Sequence, residues 1–128
     1  MKKIKRFVPI MLSALLLTAC APGNSLGYKQ ITMSEAVKMM ETEKKYIILD
    51  VRRADEYAEG HIPGAINIAN EVIGMQEIPE LPDKSQLILV YCRSGRRSKE
   101  ASEKLVKLGY TNVVEFGGIN DWTGEIVK

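Results

Sequence analysis

The sequence has no apolar run long enough to cross a bilayer, which takes roughly 20 residues. The nearest to one, FVPIMLSALLL from Phe7 to Leu17, stops well short. A basic stripe is also missing. Eighteen Lys and Arg stand against 16 Asp and Glu, but Lys2, Lys3, Lys5 and Arg6 crowd the head of the chain. The remainder therefore holds 14 basic residues against all 16 acidic ones and is near −2. A slightly acidic body of this kind argues against a nucleic-acid partner. Histidine is represented by His61 alone, and the only cysteines are Cys20 and Cys92. No internal repeat or low-complexity tract is visible, which excludes a stacked repeat array.

The basic head followed by an apolar stretch reads as an export signal. It ends in LTAC, Leu17 to Cys20, which resembles a bacterial lipobox: leucine, two small residues, then a cysteine that is lipidated. The resemblance implies a signal peptide over 1–19 and a mature N-terminus at Cys20. The body is then lipid-anchored to a bacterial membrane in the cell envelope, on its extracytoplasmic side. An ordinary small-residue cleavage site or an uncleaved anchor are the alternatives. Residues 20–27, continuing as APGNSLG after the cysteine, read as a flexible tether, and 28–128 as one domain. With Cys20 assigned to lipid, Cys92 has no partner for an internal disulfide and is a lone thiol where thiols tend to oxidise. One histidine and one free cysteine cannot assemble a tetrahedral nitrogen and sulfur site, so no metal is expected.

Apolar runs alternate with helical patterns along the body. YKQI is a candidate first strand, and TMSEAVKMMETEKK has capping-box spacing at Thr32 and Glu35, with Met33, Ala36, Val37 and Met40 on one face. YIILDV, Tyr46 to Val51, suits a strand buried on both faces, and RADEYAEG a short helix. AINI is read as a strand, ANEVIGMQEI as a weak helix broken by Gly74, and PELPDKS as a loop. QLILVYC, Gln86 to Cys92, gives the strongest strand signal and SKEASEKLVKLGY the strongest helix signal. In that helix Ala101, Leu105 and Leu108 share a face, Glu100 with Lys104 and Glu103 with Lys107 stand at supportive spacing, and Gly109 is the stop. NVVEF is the last strand. Strands alternating with helices predict an α/β fold, a mostly parallel sheet with helices on both faces.

Cys92 therefore sits where a buried strand ends and a helix is about to begin, at the edge of the sheet where ligands bind in open α/β folds. The loop RSGRR, Arg93 to Arg97, can curl its amides toward the sulfur, with Gly95 free to take a left-handed conformation. The helix N-terminus and Arg93, Arg96 and Arg97 add positive potential. These features favour a thiolate, a nucleophile suited to an anionic substrate. A small buried residue closing a strand, with solvated arginines around it, is the plain alternative.

The stretches ILDVRRADEYAEGHIPGAINI and LILVYCRSGRRSKEASEKLVKLGYTNVVEFGGINDW together resemble a single rhodanese domain, over about Tyr28 to Trp122. The likeness lies in the order LDVR, GHIPGA, cysteine loop, GY, then GG with a tryptophan. It implies a five-stranded rhodanese-like sheet and a thiosulfate sulfurtransferase. Cys92 would take a sulfane sulfur from a small anionic donor such as thiosulfate, hold it as a persulfide, and pass it to cyanide or a thiol. Arg93, Ser94, Gly95, Arg96 and Arg97 would form the substrate pocket, and no cofactor is needed. Cysteine-loop phosphatases and arsenate reductases place an arginine six positions after the cysteine. Here that position is Ser98 and Arg97 falls one short, as in the shorter rhodanese loop. A sulfur carrier of the same fold, without turnover, is the second reading.

Other residues invite roles. Asp50 or His61 could serve as acid or base for Cys92, but the resemblance implies structural parts for them, with Arg52 paired to an acidic side chain and His61 shaping the IPGA connector. Trp122 either lines the pocket or covers the sheet edge, Gly117 and Gly118 permit a close loop beside the cysteine, and Ser98 is a candidate helix cap.

Overall fold

The computed structural model describes residues 26–74 and 76–128; the expected signal peptide, Cys20 and most of the tether lie outside them. The elements in chain order are β1 (Lys29–Gln30), α1 (Met33–Thr42), β2 (Ile47–Asp50), α2 (Ala54–Glu59), β3 (Ile66–Asn67), β4 (Ile88–Cys92), α3 (Arg96–Lys107) and β5 (Val113–Gly118). Short 3-10 turns lie at Asn70–Val72 and Ile119–Asp121. The five strands form one parallel sheet in the order β1-β5-β4-β2-β3. No helix among the described residues is long and apolar enough to cross a membrane.

β4 is central because its sequence tolerates nothing else: all five residues of ILVYC are buried, and parallel ladders need cover on both faces. Successive side chains point to opposite faces. Ile88, Val90 and Cys92 join Leu49, Val51, Ala101, Leu105 and Val113 beneath α3. Leu89 and Tyr91 join Ile48, Val114 and Phe116 beneath α1. Full burial of one such aliphatic side chain stabilises by about 1.5–3 kcal/mol.

Thr32 and Glu35 form the expected capping box. Under α1 the packed set is Met33, Ala36, Met39 and Met40, with Met39 in the place expected for Val37. α3 ends as its sequence predicts: Gly109 turns at φ +103, and the amides of Gly109 and Tyr110 bond Val106 O (3.0 Å) and Leu105 O (3.1 Å).

Two expectations fail. Among its described residues ANEVIGMQEI forms only the single turn Asn70–Val72, because Ile73 is extended and Gly74 has φ +105. The Asn70 amide is also diverted to Val51 O (2.9 Å). The expected Glu100–Lys104 pairing gives way to contacts with Asn70 and, within α3, with Arg96. Lys104 Nζ donates to Asn70 O (3.0 Å), and Glu100 accepts from Asn70 Nδ2 (2.9 Å) and pairs with Arg96 (3.3 Å).

Candidate active site

Cys92 is the last residue of β4, and its side chain faces α3 with 1% exposure. The chain turns from strand to helix within three residues, Arg93 to Gly95. Gly95 permits the turn at φ +118 and donates its amide to Sγ at 3.0 Å. Within α3 the amide of Lys99 is the first to bond back, to Gly95 O at 3.3 Å. The amides of Arg96, Arg97 and Ser98 thus stand at the helix N-terminus without intrahelical acceptors, at the positive end of the dipole.

A second segment holds this loop down. Gly118, at the end of β5, lies so close that a Cβ there would sit 2.0 Å from Arg93 O. The Asn120 amide donates to the same oxygen at 3.1 Å. Any side chain at position 118 would push the cysteine loop off the sheet.

The arginines do not ring the sulfur as expected. Arg93 and Arg97 converge on Glu56, a buried residue of α2, with N–O distances of 2.6 and 2.8 Å. Arg53 approaches the same carboxylate at 3.7 Å, and its amide donates to it at 3.0 Å. The Arg97 hydrogen bonds, with those of the Arg53 amide and Arg93, hold the Glu56 carboxyl far below the usual carboxylate range against the opposing effect of burial. Arg96 is exposed and leans on Glu100. The sulfur accepts instead from the Gly95 amide, and its thiol donates to Ser98 Oγ, 3.5 Å away. Ser98 is not the helix cap, which is Gly95. Its hydroxyl lies within bonding distance of the Glu115 carboxylate, Gly95 O (2.9 Å) and Gly117 O (3.3 Å). Glu115 is itself buried and accepts the Gly117 amide at 2.9 Å.

Above the loop opens a cleft of about 450 Å³ lined by Arg53, Glu71, Arg93, Ser94, Arg96 and Arg97. Cys92, 1% exposed, is not among its lining residues, and neither is Gly95 of the expected pocket. Charge and size suit a small anion arriving from solvent. Among the described residues no three His, Cys, Asp or Glu side chains gather as a metal site.

At the neighbouring end of β2, Asp50 is fully buried in a saturated network. It accepts from the Arg52 amide (2.9 Å), the Arg52 guanidinium (2.6 Å) and the Tyr91 hydroxyl (2.6 Å). Burial, then the bond to Asp50, pushes the Tyr91 phenol up beyond its ordinary range. Arg52 also donates to Gly60 O at 2.7 Å. His61 stacks on Tyr57 at 3.7 Å, bonds Tyr57 O through Nδ1 at 2.9 Å, and exchanges backbone bonds with Val127. Neither Asp50 nor His61 has a hydrogen bond to the sulfur. Trp122 packs with Ile119 against the α1-side core and bonds Glu125 O at 2.9 Å.

The architecture and the loop agree with a family model described as "Rhodanese-like domain", which matches residues 32–125. The chain belongs to the rhodanese-like domain family. Its relatives include thiosulfate sulfurtransferase PspE of Escherichia coli, 40% identical over 73 residues, covering 57% of this chain and 70% of that protein. Putative sulfur carrier protein YrkF of Bacillus subtilis is 30% identical, covering 80% of this chain and 55% of that protein. Among solved structures, a rhodanese with anions from E. coli superposes with a TM-score of 0.60 at 37% identity, covering 65% of this chain and 98% of that one. The rhodanese fold thus accounts for the five-stranded sheet, and the family is one of sulfurtransferases. Sequence reasoning missed two acidic members of this site. Glu56 stands three residues after Arg53, the spacing of a cap, and Glu115 interrupts the apolar run NVVEF. In a buried strand such a break demands a partner.

Proposed function

We propose that the protein moves a sulfane sulfur from thiosulfate or a similar small anionic donor to cyanide or a thiol through a persulfide on Cys92. The observation that carries this reading is the Gly95 amide placed on the sulfur at the foot of a helix N-terminus, with the arginines of the same loop lining a cleft. The Cys92 thiolate attacks the outer sulfur of thiosulfate. The new S–S bond forms as the old one breaks, and sulfite leaves with the electron pair. The negative charge then lies on the terminal persulfide sulfur, where the amides of Arg96, Arg97 and Ser98 can stabilise it. Arg93, Ser94, Arg96 and Arg97 line the approach, and Arg96, which is 81% exposed at its side chain, can swing onto the incoming anion. Glu56 keeps Arg93 and Arg97 in place.

The name of the Bacillus relative supports a second reading, a carrier that is loaded once and discharges to a partner protein. Steady-state sulfur transfer from thiosulfate to cyanide separates the two: turnover supports the enzyme, and loading of one sulfur without turnover supports the carrier. In either case the LTAC pattern supports lipidation at Cys20 and residence in the cell envelope. The mass of the N-terminal peptide from membranes tests that, with a diacylated Cys20 expected and an unmodified or absent cysteine contradicting it.

A further inference from the structure

Among the described residues three carboxylates are buried: Asp50, Glu56 and Glu115. Asp50 is paired with Arg52, and Glu56 with Arg93 and Arg97. Glu115 has no ion pair among the described residues. Its donors are the Gly117 amide at 2.9 Å and the Ser98 hydroxyl. An ionised carboxylate buried with two neutral donors and no cation is costly, and a second anion on the nearby sulfur makes it more so.

The proton count at Ser98 sharpens the point. Its hydroxyl owns one hydrogen, yet Glu115 Oε2, Gly95 O and Gly117 O all stand within bonding distance, and Cys92 Sγ lies 3.5 Å away. If that hydrogen goes to Glu115, none remains for a sulfur anion. If it goes to the sulfur, Glu115 needs a proton of its own to bond Ser98 Oγ. A single negative charge therefore fits this cluster, placed either on sulfur or on the carboxylate.

We propose that Glu115 takes up the Cys92 thiol proton through the Ser98 hydroxyl and so acts as a positioning residue and proton store behind the nucleophile. This rests on the sulfur-transfer reading for its purpose and on the geometry for its existence. The S–H bond breaks with its electron pair left on sulfur, and the proton passes to Ser98 Oγ. The hydrogen of Ser98 passes to Glu115 Oε2. Ser98 ends neutral, the carboxylate becomes a carboxylic acid, and the sulfur becomes the anion. The hydrogen bonds now run from Glu115 O–H to Ser98 Oγ and from Ser98 O–H to Sγ, so the sulfur keeps a donor from below as well as the Gly95 amide. The other titratable groups that bear on the cluster are Tyr28, before β1, which feels the Glu115 charge, and Arg97 of α3, which feels Cys92 while bound to Glu56.

The test is the pH profile of iodoacetamide alkylation in the full chain, followed on the Cys92 peptide. Glu115→Gln cannot carry charge, and its amide oxygen can keep the Gly117 N–H while competing less strongly than a carboxylate for the Ser98 hydrogen. It should alkylate about tenfold faster than wild type near pH 6, a shift of roughly one pH unit to lower pH. Ser98→Ala cuts the path and should slow alkylation at the same pH by a similar factor. A folded Glu115→Gln protein whose profile superimposes on wild type overturns the relay. If that variant does not fold, an unmoved profile in Ser98→Ala overturns it. Sulfur uptake from thiosulfate, weighed on the same wild-type sample, keeps the two ideas apart. Uptake with coincident profiles defeats the relay alone, and a Glu115-dependent profile without uptake defeats the sulfur-transfer reading alone.

Discussion

The ends of β2 and β4 lie side by side in the sheet, with Asp50 opposite Tyr91 and Cys92 one residue further on, yet their polar clusters are built on opposite terms. Around Asp50 every acceptor has a donor: a guanidinium, a phenol and an amide all reach the carboxylate. Around Cys92 acceptors outnumber hydrogens, and Glu115, the buried carboxylate that Ser98 reaches, has no ion pair among the described residues. A saturated network fixes a shape, and an unsaturated one leaves room for a charge to move. The β2 cluster braces the frame, and the β4 cluster is the part the proposed chemistry would use.

Breaking the saturated side should produce the largest loss of stability. Asp50→Ala leaves the Arg52 guanidinium, with its side chain 5% exposed, without its partner. It is expected to cost about 3–5 kcal/mol in denaturant unfolding. A loss under 1 kcal/mol would put Asp50 outside the frame. Glu56→Gln stands between the two sides, since it frees Arg93 and Arg97 at the cleft; a loss of about 2 kcal/mol near neutral pH is expected. Because the Glu56 carboxyl is depressed in the folded state, its contribution is whole above the ordinary carboxylate range. It falls away as the pH drops below that range. The stability gap between wild type and Glu56→Gln should therefore narrow in acid, and a gap that stays constant down to pH 2 contradicts the assignment. The smallest effect should come from His61→Asn, which gives up the Tyr57 stack and keeps the backbone bridge to Val127. About 1 kcal/mol is expected from thermal unfolding, with sulfur loading unchanged. Lost loading in a folded protein would draw His61 into the chemistry.

The elements with a strong local code were legible in the sequence. β4 is an unbroken apolar run, α1 carries its capping box, and α3 stops at a left-handed glycine. The cysteine position and the close approach of Gly118 follow from strand, loop and glycine order alone. What the sequence hid was tertiary. Nothing near Cys92 in the chain announces that its arginines will turn to Glu56, more than 35 residues earlier. Ser98 reads as a cap until Gly95 takes that place and Glu115, 17 residues on, comes within reach of its hydroxyl. The helix expected after Ala69 fails for the same reason: Asn70 finds better partners in Val51, Glu100 and Lys104 than in its own next turn.

The central claim is that Cys92 carries sulfur, and weighing the protein after exposure to thiosulfate tests it most directly. Mass spectrometry should find a gain of one sulfur atom, confined to the Cys92 peptide, released by cyanide and missing in Cys92→Ala. A protein that stays at its original mass, or gains sulfur equally without Cys92, would contradict the account.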